Sequence, residues 1–189
     1  MTSMLIVGVG GQGAILFSKI LTEALVEKGY DVKMSEVHGM AQRGGSVSTQ
    51  VRFGKKVLSP IIGLGEADIL VSLEEMESAR YCSYLKPGAI AIINRYRLLP
   101  GSLADGKESY PEGIVDFMSA HFETHLVEAA AAAQALGNSR CMNLVLLGAM
   151  SNLEAFKDLD WETVIRRSVP QRLLDLNLKA FEAGRALPW

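Results

Sequence analysis

The chain has 189 residues, 49% of them hydrophobic, with 19 Lys+Arg against 21 Asp+Glu and a formal net charge of -2. That composition supplies one substantial core and excludes disorder, and the length is too small for two sizeable domains, so a single domain over 1–189 is expected. The balanced charge excludes a general field for nucleic acid or an acidic membrane, so any basic site must be local.

The first fifteen residues lack the charged start, long apolar run and small-residue cleavage site of a signal peptide, and no segment approaches the roughly 20 apolar residues of a membrane span. A cytoplasmic protein is expected. "MLIVGVG" at 4–10 is a short continuous apolar run ending in glycine, and from 14 to 28 the pairs Leu16/Phe17, Ile20/Leu21 and Ala24/Leu25 recur every four residues. This predicts strand, tight turn and amphipathic helix. Gly29 closes the helix and "YDVKMSEV" begins a second extended run. Residues 1–37 therefore read as a βαβ unit with parallel strands and a right-handed crossover.

Between residues 46 and 53, Val47, Thr49, Val51 and Phe53 alternate with Ser46, Ser48, Gln50 and Arg52, the period of a strand with one apolar face. "FGKKVLSP" reads as a turn at Gly54-Lys55 into a short edge segment. "ADILVSL" (67–73) and "GAIAIIN" (88–94) are apolar throughout, as strands covered on both sides are, with the helix-like "EEMESARYCSYLK" between them. Residues 95–113, polar and rich in glycine and proline, are expected to cross the surface.

"IVDFMSAHFE", "THLVEA" and "AAAAAQALG" predict a further helix, strand and helix. From 139 onward the pattern is helical: Met142, Val145, Leu146, Ala149 and Leu153 share a face, Asp160 stands as a helix cap before "WETVIRRSV", and Pro170 precedes a last helix bearing Leu173, Leu176, Ala180 and Ala183. The sum is an α/β fold: a Rossmann-like three-layer sandwich, a mostly parallel sheet with helices on both faces and a helical C-terminal part.

Two places carry candidate chemistry. "GVGGQG" at 8–13 lies between the first strand and first helix, and Gly8, Gly10 and Gly13 match the G-x-G-x-x-G fingerprint. Glycines there let an anionic group approach main-chain N–H groups at a helix N-terminus. Gly8, Gly10, Gly11, Gln12 and Gly13 are thus cofactor-binding candidates, with Glu36 as the only acid near the end of the second strand. A tight turn that needs glycine for close packing alone is the competing reading.

"VHGMAQRGGSVSTQVRFG" at 37–54 is the second place. Arg43 can fork onto a carboxylate or phosphate, His38 can exchange a proton near neutral pH, and Gln42 can donate and accept. With Gly39, Gly44 and Gly45 shaping the backbone, the loop suits an anionic ligand, or else pairs with another subunit and caps nearby carbonyls. It stands at the end of a strand beside the glycine turn, where open α/β sheets put their sites.

The chain has two cysteines, Cys82 and Cys141, far apart in sequence. A cubane cluster takes four thiolates and a structural zinc site four N/S ligands, so no metal site is expected and both read as ordinary buried thiols.

Taken together, "GVGGQGAILFSKIL", "SEVHGMAQRGGSVSTQVRFG" and "SPIIGLGEADILVSLEEMESARY" resemble the indolepyruvate ferredoxin oxidoreductase beta-subunit family, within the gamma-type family of 2-oxoacid:acceptor oxidoreductases. The three blocks fall in order within the first half of the chain. The resemblance implies a heteromeric complex that oxidatively decarboxylates an aryl 2-oxoacid such as indolepyruvate with coenzyme A, yielding an acyl-CoA and reduced ferredoxin. It implies that a partner alpha subunit carries thiamine diphosphate and the iron-sulfur clusters. This chain would then shape the entrance to the active site, dock the partner and help hold coenzyme A, and would be inactive alone. On that reading Arg43 binds a substrate carboxylate or a coenzyme phosphate, or ties the loop to the partner. The alternatives are a stand-alone NAD or flavin oxidoreductase using the glycine turn, and a non-catalytic scaffold.

Overall fold

In the computed structural model, which describes residues 1–38 (His38 by its backbone only), 44–98 and 109–188, the strands form one six-stranded sheet ordered β2-β3-β1-β4-β5-β6. The strands are β1 (Thr2–Val9), β2 (Asp31–His38), β3 (Ser46–Gly54), β4 (Ala67–Ser72), β5 (Leu85–Asn94) and β6 (Glu123–Val127). β1 alternates between two cores: Met4 and Ile6 join one, Leu5 and Val7 the other. A strand apolar on both faces must be covered on both, and it is.

The first core lies under α1 (Ala14–Glu27) together with α4 (Ala129–Ala135), α5 (Met142–Met150), α6 (Trp161–Ser168) and α7 (Leu174–Arg185). The second lies under α2 (Glu75–Arg80) and α3 (Ile114–His121). The expected three layers are therefore present. α1 buries Phe17, Ile20, Leu21, Ala24 and Leu25 and ends where Gly29, at φ 93°, turns the chain, its N–H donating to the Val26 carbonyl at 2.9 Å. Asp160 caps α6 as expected, its carboxylate accepting the Thr163 N–H at 3.1 Å.

Several expectations need correction. β1 and β2 run in the same direction but are not neighbours, because β3 is inserted between them and pairs antiparallel with both. The sheet is mostly parallel, since β1, β4, β5 and β6 pair parallel in succession. A hairpin from β2 into β3 leaves only the β1 side of β3 free, and nothing local in the sequence reveals that choice.

No strand follows Gly54. Residues 55–66 form an irregular segment instead, held by the Val57 N–H on Asp31 at 2.8 Å and by the Ile62 N–H on Gln50 at 2.6 Å, with Val57 and Ile62 buried. Side-chain acceptors on the sheet thus replace a ladder. Tyr110, expected at the surface, is 9% exposed. Its ring packs in the second core and its hydroxyl reaches α2. Leu153 falls past the end of α5, and Leu173 lies before α7. α5 has no single apolar stripe, because all of its residues from Met142 to Met150 are buried. Cys141 is buried as expected, whereas Cys82 is partly exposed. Among the described residues, no helix is long and apolar enough to cross a membrane.

Candidate functional site

The chain moves to one side of β1 through α1 and to the other side of β4 through α2, so the topology reverses between these two neighbouring strands. Open α/β sheets place ligands at the carboxyl ends of strands around such a reversal. The glycine turn that follows β1 stands there.

Gly8, the last glycine inside the strand, has no room for a side chain: a Cβ would lie 2.8 Å from Gln12 Oε1 and 3.1 Å from Leu73 Cβ. Gly11 and Gly13 take φ of 102° and 85°, the left-handed region where glycine carries no steric penalty. Gln12 is 9% exposed and turned inward. Its Oε1 accepts the Val9 N–H at 2.7 Å and its Nε2 donates to the Leu73 carbonyl at 3.4 Å, which staples the turn to the end of β4. Gln12 is therefore a structural member of the turn, filling the crevice between β1 and β4.

From the other side, Asn143 on α5 donates its Nδ2 to the Gly13 carbonyl at 3.2 Å. Asn143 Oδ1 is buried with no hydrogen-bond partner among the described residues. α1 begins at this point without a side-chain cap or an acidic residue in its first turn. Its N-terminal end thus keeps a positive potential.

The returning 37–45 loop meets the turn directly. Gly10 N–H donates to the Gly45 carbonyl at 2.8 Å, and Gly44 N–H, from a residue at φ 77°, donates to the Gly10 carbonyl at 3.4 Å. The two glycine-rich stretches are thus joined backbone to backbone. Between them, α1 and the ends of β2 and β3 lies a mainly apolar groove of about 370 Å³, walled by Gly10, Gly11, Gly13, Ile15, Glu36 and Val37. Ile15 is 65% and Val37 53% exposed, so the rim is greasy and open.

Of the candidates read from sequence, Gly8, Gly10, Gly11, Gln12, Gly13, Gly44 and Gly45 converge on this one place. His38 ends β2 in register with Val47. Gly39, Gln42 and Arg43 lie outside the described residues. Glu36 faces α1, where it accepts from Ser18 Oγ at 3.4 Å, but it stands two strands from β1 rather than one. With neighbouring strands about 4.8 Å apart, that places it some 5 Å further from the glycine turn than the ribose-binding acid of a dinucleotide site. The inserted β3 thus departs from the dinucleotide-site arrangement, in which the strand bearing the acid is the neighbour of β1, and does not favour a stand-alone nucleotide-dependent oxidoreductase.

The sequence reading missed three residues that build this edge: Ser46, Glu77 and Asn143. Ser46 Oγ donates to Glu77 Oε2, and Arg80 Nε donates to Glu77 Oε1 at 3.0 Å. Glu77 belongs to a run of acids that looks like a solvated helix face, yet Glu74, Glu75 and Glu77 are 1%, 3% and 4% exposed. Their one sequence signal is their position directly after an apolar strand, where a helix N-terminus meets the site edge.

The two cysteines sit on opposite sides of the sheet. Cys141 belongs to the core under α1, and Cys82 packs against the core under α2. They cannot share a cluster.

Comparison with known proteins agrees with this architecture. The family model described as pyruvate ferredoxin/flavodoxin oxidoreductase matches residues 3–187. The indolepyruvate oxidoreductase subunit IorB of Thermococcus kodakarensis is 37% identical over 190 residues, covering 96% of this chain and 93% of that protein. Its counterpart in Methanothermobacter thermautotrophicus is 39% identical over 184 residues, covering 94% and 92%. Among solved structures, the gamma subunit of a keto/oxoacid ferredoxin oxidoreductase from Geobacter sulfurreducens superposes with a TM-score of 0.70 at 25% identity, covering 97% of this chain and 96% of that one.

Proposed function

The chain belongs to the pyruvate ferredoxin/flavodoxin oxidoreductase family, and we propose that within it the chain is the small subunit of a complex that oxidatively decarboxylates an aryl 2-oxoacid such as indolepyruvate. The products are an acyl-CoA and reduced ferredoxin. The observation that carries this reading is the end-to-end similarity, at 35–39% identity, to four proteins named indolepyruvate oxidoreductase subunit IorB.

The resemblance puts the iron-sulfur clusters and thiamine diphosphate on a partner alpha subunit, and the placement of this chain's two cysteines on opposite sheet faces supports that division. Thiamine diphosphate supplies the carbanion-stabilising chemistry of the decarboxylation. This chain contributes the edge formed by the glycine turn, the 37–45 loop and the apolar groove, which lines the entrance to the partner's active site. The rim of Ile15 and Val37 supports docking of another apolar surface, and the uncapped N-terminal end of α1, with no acid in its first turn, favours a nearby anionic group. Arg43 supplies the positive charge in that loop, toward a substrate carboxylate or a coenzyme A phosphate. Glu36, on the groove wall, disfavours a phosphate inside the groove itself, so the anion sits on the loop side.

Reduction of a viologen dye that depends on indolepyruvate, coenzyme A and thiamine diphosphate tests the assignment. The expected result is activity when the chain is co-expressed with an alpha subunit and none from the chain alone. Activity from the chain alone, or equal activity per alpha subunit without it, would reject the reading. Within an active complex, Arg43→Ala is expected to lower kcat/KM by about ten- to a hundredfold, while the chain's own melting temperature stays unchanged. Wild-type steady-state constants for that variant would remove the loop from the reaction.

A further inference from the structure

Glu77 is a costly residue in its place. A carboxylate 4% exposed gives up its water shell, and Glu74 and Glu75, both equally buried, stand within three positions of it on the same side of the sheet. Replacing such groups by apolar ones is often neutral or stabilising, so their retention points to geometry rather than stability. Each of the three holds a different stretch of chain. Glu74 accepts from the Leu98 N–H and the Tyr110 hydroxyl, Glu75 accepts from Arg97, and Glu77 accepts from Ser46.

Ser46 is where the 37–45 loop re-enters the sheet. It is in register with Val9, the residue before the glycine turn. One residue earlier, the Gly45 carbonyl takes the Gly10 N–H, and Gly44 donates back to Gly10. The loop exit is thus held from two directions, by the backbone of the glycine turn and by a buried carboxylate on α2. Arg80, half exposed, balances the charge of Glu77 from the solvent side and keeps its second oxygen occupied, while the Tyr81 hydroxyl lies 3.4 Å from Ser46 Oγ.

We propose that Glu77 is a positioning residue of the reaction: through Ser46 it sets where Gly44 and Gly45 meet the glycine turn, and so the shape of the edge that the proposed function sets at the partner's active site. This rests on the function proposed above. A rigid hydrogen-bonded support of this kind matters because a shift of about 1 Å in a positioned group can cost on the order of a hundredfold in rate. The carboxylate's role is to accept from Ser46, so a neutral acceptor of the same length should serve.

The test uses Ser46→Ala, Glu77→Ala and the conservative Glu77→Gln in the full chain, read in two ways. Hydrogen exchange at the Gly10 amide reports the contact itself, and kcat and KM of the co-expressed complex report its consequence. In Ser46→Ala and Glu77→Ala, Gly10 exchange is expected to rise about tenfold or more and kcat/KM to fall about tenfold or more. Glu77→Gln should remain within about threefold of wild type on both, because its amide oxygen accepts the bond from Ser46 while Arg80, half exposed, exchanges its lost acceptor for water. Unchanged Gly10 exchange in Ser46→Ala would overturn the proposal at the level of structure. Raised exchange with unchanged kinetics would overturn the positioning role, and if Arg43→Ala were also silent, the loop's part in the proposed function would fail with it. An effect on kinetics as large for Glu77→Gln as for Glu77→Ala would show that charge, and not position, is what the reaction uses.

Discussion

Gly13 sets the entry to α1 with φ 85°, and a Cβ there would lie 2.5 Å from Asn143 Nδ2. Gly11 has a similar φ of 102° but opens onto free space. The pair separates backbone strain from crowding. Gly11→Ala is expected to cost about 1–2 kcal/mol, the penalty for an L residue in the left-handed region. Gly13→Ala should cost more, because Asn143 must also give up its bond to the Gly13 carbonyl, leaving a buried amide unsatisfied at about 1–3 kcal/mol. Urea denaturation of both variants checks this. Equal losses would mean that Asn143 contributes nothing to the turn. Gln12 teaches the same lesson: it looks like a ligand-binding residue within "GVGGQG", but its amide is consumed in holding Val9 and Leu73.

At the scale of elements, α5 and α7 determine how the C-terminal part closes over the first core. Gly148 on α5 and Gly184 on α7 sit where the two helices touch backbone to backbone. A Cβ on Gly148 would lie 2.0 Å from the Phe181 carbonyl oxygen, and one on Gly184 would lie 1.9 Å from that of Val145. Neither neighbour is a flexible side chain, so the helices would have to separate. Gly148→Ala and Gly184→Ala are each expected to destabilise by about 1–3 kcal/mol or more, despite alanine's better helix propensity. Thermal melts that show either variant as stable as wild type would refute this contact. A glycine within an otherwise apolar helix is the sequence signal for such an approach. It identifies the position but not the partner.

For the molecule as a whole, stability should form a plateau near neutrality that falls on both sides. Lys33 and the Val57 N–H hold the Asp31 carboxyl below its ordinary value of 3.8. The Gly63 N–H and Arg52 do so for Glu66, and Thr163 does so for Asp160. Groups depressed on folding stabilise above their unfolded pKa and lose that contribution as the pH falls through their folded values, so the acid limb should begin near pH 4. Burial raises the Cys141 thiol above 9.0, and burial with the neighbouring Glu74 raises the Tyr110 hydroxyl above 10.0. Groups raised on folding stabilise below their unfolded pKa, so the alkaline limb should begin near pH 9 and steepen above 10. Melting temperatures measured from pH 3 to 11 check both limbs. Tyr110→Phe should flatten the part above pH 10, and a wild-type alkaline profile in that variant would assign the limb elsewhere.

Much of the fold was legible along the chain. The unbroken apolar run of β1, the four-residue recurrence in α1, the alternation in β3 and the cap at Asp160 are local patterns, and each element forms as its pattern requires. The convergence of the glycine turn with Gly44 and Gly45 was also legible, because both stretches follow strands that end on the same edge. Strand neighbours were not, since pairing of β3 with β1 is decided by sheet closure and not by either sequence. The short edge segment expected after the turn at Gly54-Lys55 is instead irregular, and the burial of Val57 and Ile62 is achieved under side-chain acceptors on β2 and β3.

The sequence alone thus determines the layers, the order of elements and the place where loops meet, because hydrophobic period and glycine placement act over a few residues. Only the tertiary structure decides that β3 separates Glu36 from the glycine turn, that Gln12 points inward, and that an acidic helix face is buried to hold Ser46, Arg97 and Tyr110. Those outcomes depend on contacts between residues that are distant in the chain, whose desolvation and hydrogen bonding exist only once the sheet has closed.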